Sequence, residues 1–211
     1  MTNNNIVKIK NKETGRVEAF SDGVFSIAIT LLVLNLKIPD KNTLSASFGL
    51  LEALLVQWPE FMAFLISFIT ILIMWVNHHN MFNHIKLCDQ NFLFLNGFVL
   101  LTVTFIPYPT ALLANYIKTD YADIASAIFA GAFLLNCISF NILWHYVSYE
   151  KRLLDENINP DIILKFKRNG LIGLPLYLIA ILAAFINVTL SVGICTALAI
   201  FFSIAGFFER E

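Results

Sequence analysis

Residues 16 to 38 read Arg16-Val17-Glu18-Ala19-Phe20-Ser21-Asp22-Gly23-Val24-Phe25-Ser26-Ile27-Ala28-Ile29-Thr30-Leu31-Leu32-Val33-Leu34-Asn35-Leu36-Lys37-Ile38. No charge falls between Asp22 and Lys37. At about 1.5 Å of rise per residue, a helix over this stretch is long enough to cross the apolar slab of a bilayer. Its start is unusual for a lipid anchor. An ionisable Asp22 lies just inside the apolar run, where a charge costs several kcal/mol unless it is paired or wet. Gly23, Ser26, Ala28 and Thr30 interrupt the bulky residues, which suits close helix packing or a water-lined seam.

The remainder of the chain has the composition of a membrane scaffold. Of 211 residues, 58% are hydrophobic, 14% are charged and 20 are Phe, with a mean hydropathy of +0.72. Soluble domains carry about 25% charged residues. The fold class is therefore all-α, a polytopic membrane protein. A net charge of −1 offers no broad basic surface, so no nucleic acid is expected as a partner. Cys88, Cys137 and Cys195 are widely spaced, odd in number and without metal-ligand spacing, and read as packing thiols. Met1 to Glu13 lacks the apolar core of a signal peptide, so the first apolar stretch is expected to be retained as a span.

Six spans are predicted, over about 16–38, 60–81, 91–114, 124–148, 170–186 and 189–208, forming a single transmembrane unit. Pro39 ends the first. Residues 44–57, with Glu52 inside, are too short and mixed to span and read as a helix lying in the interface or leading into span two. Trp58-Pro59 marks the start of span two, and Pro107 and Pro109 should kink or finish span three. Trp144-His145-Tyr146 reads as an aromatic belt at an interface. The longest polar stretch is 149–169, followed by span five with Pro175 inside. Six spans place both termini on one side. Eleven cations (Lys8, Lys10, Lys12, Arg16, Lys86, Lys151, Arg152, Lys165, Lys167, Arg168 and Arg210) fall on that side, and Lys37, Lys41 and Lys118 on the other, which divides the 14 present. That bias makes both termini cytoplasmic.

At about 100° per residue, Ile27, Leu31 and Leu34 share one stripe of the first helix, with Gly23 a turn before and Thr30 beside it. Arg16 and Asp22 lie about 120° apart around the axis and do not meet, so Asp22 needs a partner on another helix. The end of span two, with Trp75, Asn77, His78 and His79, lies at the same membrane level. An indole N–H or an imidazole donating to Asp22 would satisfy both groups. From the residues alone, this clasp reads as structural and the stripe as ordinary packing. Adjacent histidines point about 100° apart on a helix, with no carboxylate or cysteine at ligand spacing, so no metal is expected. Phosphate-binding loops, nucleophile elbows and zinc helices are missing, as is the carbonyl filter of the usual potassium channels. No enzyme and no cofactor are expected.

Arg16-x-x-x-Phe20-Ser21-Asp22, continuing through Gly23-Val24-Phe25-Ser26-Ile27-Ala28-Ile29-Thr30, resembles the first helix of the transmembrane protein 175 family, potassium-permeable channels of bacteria, archaea and animal endolysosomes. Chain length, six spans and cytoplasmic termini match its single-repeat prokaryotic form. The resemblance implies a homotetramer in the lipid of the cell membrane, with four first helices lining a central pore for potassium. It puts Ile27 at the main hydrophobic constriction, and Leu31 and Leu34 along the pore. Ser26 and Thr30 fall on flanking polar positions that bear on selectivity. Arg16, Phe20, Ser21 and Asp22 would hold helices together at the cytoplasmic mouth, with Trp75 and one of His78 or His79. Three rival readings stand beside it. One is a proton-coupled transporter using Asp22 and the histidines as a relay, and another is proton conduction through the same pore. The last is a membrane scaffold without transport.

Overall fold

The computed structural model describes residues 12–40 and 49–207. Eight α-helices run in order: α1 (Lys12–Leu31), α2 (Leu50–Val56), α3 (Trp58–His84), α4 (Gln90–Phe105), α5 (Pro107–Tyr116), α6 (Ala122–Ser148), α7 (Pro160–Ala184) and α8 (Val188–Phe207). Among the described residues, five segments are long and apolar enough to cross a membrane: Thr14–Asn35, Trp58–His84, Gln90–Tyr116, Ala122–Lys151 and Pro160–Ala184. α8 is apolar over the shorter Val188–Ile204. The protein is an all-helical, polytopic membrane protein.

The helix limits follow from local chemistry, and several depart from the expected spans. α1 begins at Lys12, before residue 16, and tightens into a 3₁₀ turn over Leu32–Asn35, so helical structure ends at Asn35 and not at 38. Leu36 is already extended, which means Pro39 does not end the helix. α3 overruns 60–81 at both ends, opening on Trp58 with Pro59 in its first turn, where a missing N–H costs nothing. Span three, expected over 91–114, is divided. α4 and α5 meet at Ile106, because Pro107 supplies no donor to continue the ladder. The largest correction is span five. It starts at Pro160, not 170, since Asn159 caps the helix by accepting from the Asp161 N–H at 2.9 Å and Pro160 takes the first position. Ten residues assigned to a polar connection are thus helical, and α7 runs unbroken through Pro175 to Ala184. Of the expected helix at 44–57, Leu50–Val56 is helical, and 44–48 lie outside the described residues. α8 covers 188–207, and residue 208 of the expected span lies outside them.

Hydroxyl and amide groups tie the bundle together where apolar surface supplies no preference between helix and lipid. Ser67 meets Thr110 at 2.6 Å, Asn136 donates to Thr102 at 2.9 Å, and Ser126 donates to Ser191 at 3.0 Å. α6 and α7 approach closely at Gly170 and Gly173. A Cβ on Gly173 would lie 2.8 Å from both Cys137 Sγ and Phe202 Cζ. Trp144 does not form an aromatic belt. It is buried against Phe166 at 4.5 Å between ring centres, and its indole donates to the Ile163 carbonyl. The α3–α4 and α6–α7 connections are pinned together, with Lys86 N–H bonded to Leu153 O at 2.9 Å and Asp155 N–H to His84 O at 3.0 Å.

Candidate functional site on the first helix

α1 has two faces. Ser21, Phe25, Ala28 and Leu32 recur at helical spacing and are buried against α3 and α4. Phe20, Gly23, Ser26, Ile27, Thr30, Leu31 and Leu34 lie on the other face and are all exposed on the single chain. The exposure of the large apolar residues is 66% for Phe20, 58% for Ile27, 42% for Leu31 and 74% for Leu34. The chain therefore holds this helix by one side and leaves the predicted stripe uncovered over its whole length.

The two hydroxyls of the uncovered face are turned onto their own helix. Ser26 donates to the Asp22 carbonyl at 2.8 Å and Thr30 to the Ile27 carbonyl at 2.9 Å. Each O–H is thereby spent, while the oxygen keeps lone pairs to offer to a cation or to water. At the far end, Asn35 donates to the Pro107 carbonyl at 3.1 Å, and Lys37 to Asn115 Oδ1 at 3.0 Å. The acceptor that anchors α1 thus lies in the first residue of α5, just past the break from α4.

At the other end, three contacts hold the motif region to α3 and α4. The Trp75 indole donates to Asp22 Oδ1 at 2.7 Å. His79 Nδ1 lies 3.0 Å from Glu18 Oε1, and its ring stacks on Trp75 at 5.9 Å. His78 Nε2 is 2.9 Å from Asn96 Oδ1, and the Asn96 amide donates to Ser21 Oγ at 2.9 Å. Ser21 passes the direction on by donating to Val17 O at 2.8 Å. The two histidines therefore both serve α1, one through Asn96 and one through Glu18, neither by touching Asp22. His78 is fully buried among Phe25, Phe82 and Phe140, and its Nδ1 meets no hydrogen-bond partner among the described residues. Arg16 is exposed and Phe20 points away from the chain, so neither joins this clasp within one subunit.

Asn96 and Glu18 escaped the reading of the sequence. The available signal was a lone amide at mid-span in an otherwise apolar helix, a position where a polar group must find a partner. Glu18 was visible only as one of several charges at the helix start.

A family model described as "Endosomal/lysosomal potassium channel TMEM175" matches residues 16–107, which contain both the clasp and the uncovered face. A Chamaesiphon minutus protein named "Potassium channel Cha6605_3372" is 46% identical over 195 residues, covering 92% of this chain and 96% of its own. The chain belongs to the transmembrane protein 175 family. A crystal structure described as that of a lysosomal potassium-selective channel TMEM175 homolog from Chamaesiphon minutus superposes with a TM-score of 0.84 at 44% identity, over 92% of this chain and 98% of that one. A Danio rerio relative, named an endosomal/lysosomal proton channel, is 38% identical over 97 residues, or 44% of this chain and 19% of its own length.

Proposed function

We propose that this member of the transmembrane protein 175 family is a potassium channel subunit of the cell membrane, six times membrane-crossing, with both termini cytoplasmic. Four copies assemble so that the uncovered faces of α1 enclose a pore, with potassium as the permeant ion and no cofactor. The observation that carries this reading is the division of α1 into a packed face and an uncovered face that contains Ile27, Leu31 and Leu34. A lipid-facing helix has no need of the hydroxyls of Ser26 and Thr30 along that face. In the tetramer, a ring of Ile27 side chains excludes water when narrow and admits a partly stripped ion when slightly wider. Potassium sheds its hydration more easily than sodium, so such a ring discriminates between them without a carbonyl cage. Ser26 and Thr30 offer oxygen lone pairs on either side. The clasp of Asp22 with Trp75, and of Ser21 with Asn96 and His78, sets the helix angle. Arg16 and Phe20 complete it between subunits. The test is flux of potassium, caesium and sodium in liposomes, with wild type against Ile27→Asn. The substitution should raise sodium flux relative to potassium, and unchanged discrimination would remove Ile27 from the constriction.

A second reading, proton conduction by the same pore, is favoured by the naming of the animal relatives. A side-chain relay from Asp22 to the histidines has no support, because the group on Asp22 is an indole, which donates but cannot accept a proton. Reversal potentials under a pH gradient separate proton from potassium current.

A further inference from the structure

Behind α1, on the far side of α3, lies a cavity of about 110 Å³. Its walls come from α3, α6, α7 and α8, and they include Asn77, Asn136, Cys137, Trp144, Tyr177 and Phe202. No acidic, basic or histidine side chain lines it. Apolar cavities near 150 Å³ hold a single benzene ring. Here rings line the space, Asn136 donates to Thr102 and Asn141 to the Cys137 and Gly170 carbonyls, and Asn77 is the amide left to meet an occupant, which suits a small molecule with one ring and one neutral hydrogen-bonding group. An ion would lose its hydration without gaining a counter-charge. The cavity also touches the pore machinery through a rigid element. Met74, Asn77 and Met81 face it from α3, while Trp75, His78 and His79, on the same turns, hold α1. An occupant that shifts α3 therefore shifts the groups that position the pore helix.

We propose that this cavity is a regulatory site for an uncharged, ring-bearing ligand whose occupancy changes conduction through α3; the regulatory half rests on the channel reading above. Cys137 supplies a reporter, since it lines the cavity whereas Cys88 and Cys195 do not. In the full chain carrying Cys88→Ser and Cys195→Ser, Cys137 is labelled with methyl methanethiosulfonate and followed by intact mass. Benzamide, neutral with a ring and an amide, should protect Cys137 saturably. Benzamidine, nearly the same shape but cationic, should not. Asn77→Leu should weaken protection about tenfold, the loss of one hydrogen bond's discrimination, and Ala199→Phe, which fills the space, should abolish it. In liposomes, benzamide should change wild-type potassium flux at the concentrations that protect. No protection, or equal protection by both compounds, overturns the site. Protection with unchanged flux overturns its regulatory role. A wild type that passes no potassium while benzamide still protects would refute the channel reading and the regulatory role, leaving the binding site standing.

Discussion

Asp22 is half-buried at the start of an apolar run, and the group that answers it is the Trp75 indole at 2.7 Å. A hydrogen bond to a charged acceptor contributes about 1.5–3 kcal/mol, and removing the donor leaves the carboxylate to be solvated in a poor solvent. Trp75→Phe should therefore lower the unfolding free energy of the detergent-solubilised protein by about 1–3 kcal/mol. Combined with Asp22→Asn, the loss should be clearly less than additive, as a double-mutant cycle in the melting or denaturant midpoint would report. Strict additivity would mean the two side chains are not coupled. Much of this pairing could be anticipated, because an acid inside an apolar run demands a donor at its own depth. The fate of the two histidines could not. Neighbouring residues on a helix diverge by about 100°, so His78 turns into the aromatic core while His79 reaches Glu18. Which one turns inward is decided by where Asn96 stands on α4, a tertiary fact that sequence spacing does not contain.

Among the helices, the boundaries depart furthest from the polarity pattern. Polarity over 149–169 suggested a connection, yet Asn159-Pro160-Asp161 is a helix-starting signature, and it prevailed. Charged residues in the first turns of α7 are compatible with a helix that begins outside the apolar slab, so composition alone misplaces its start. The break at Pro107 was legible because the missing N–H is a local property. The 3₁₀ ending of α1 was not, since its last residue, Asn35, finds its partner in the Pro107 carbonyl, 72 residues away. Close packing of α6 and α7 yields a contrast between two glycines. Gly193→Ala meets nothing within 4 Å, so it should stabilise the helix by about 0.5–1 kcal/mol. Gly173→Ala drives a methyl to 2.8 Å from Cys137 and Phe202, and overpacking of that kind costs about 1–3 kcal/mol. Thermal melting of the two variants should move in opposite directions. A gain at both would show that α6 and α7 part without cost.

Across the whole molecule, composition specified a polytopic helical protein, because bilayer insertion depends on sums over many residues. The proposed pore is of a different kind. In a single chain the stripe from Ile27 to Leu34 is an uncovered apolar face, and only symmetry-related copies give it an interior. Four subunits are expected, and native mass spectrometry from detergent should find a particle of four chains. A dimer or monomer would leave the α1 faces unable to close a ring.

The central claim is that the uncovered face of α1 meets the ion, and cysteine substitution tests it most directly. In a channel freed of its native cysteines, Ile27→Cys and Ala28→Cys place thiols about 100° apart on the same turn, one exposed and one wholly buried. Silver ions, which travel where potassium travels and bind thiolates, should block potassium current through Ile27→Cys within seconds and leave Ala28→Cys conducting. Equal sensitivity of the two, or block of Ala28→Cys alone, would show that the ion path runs elsewhere.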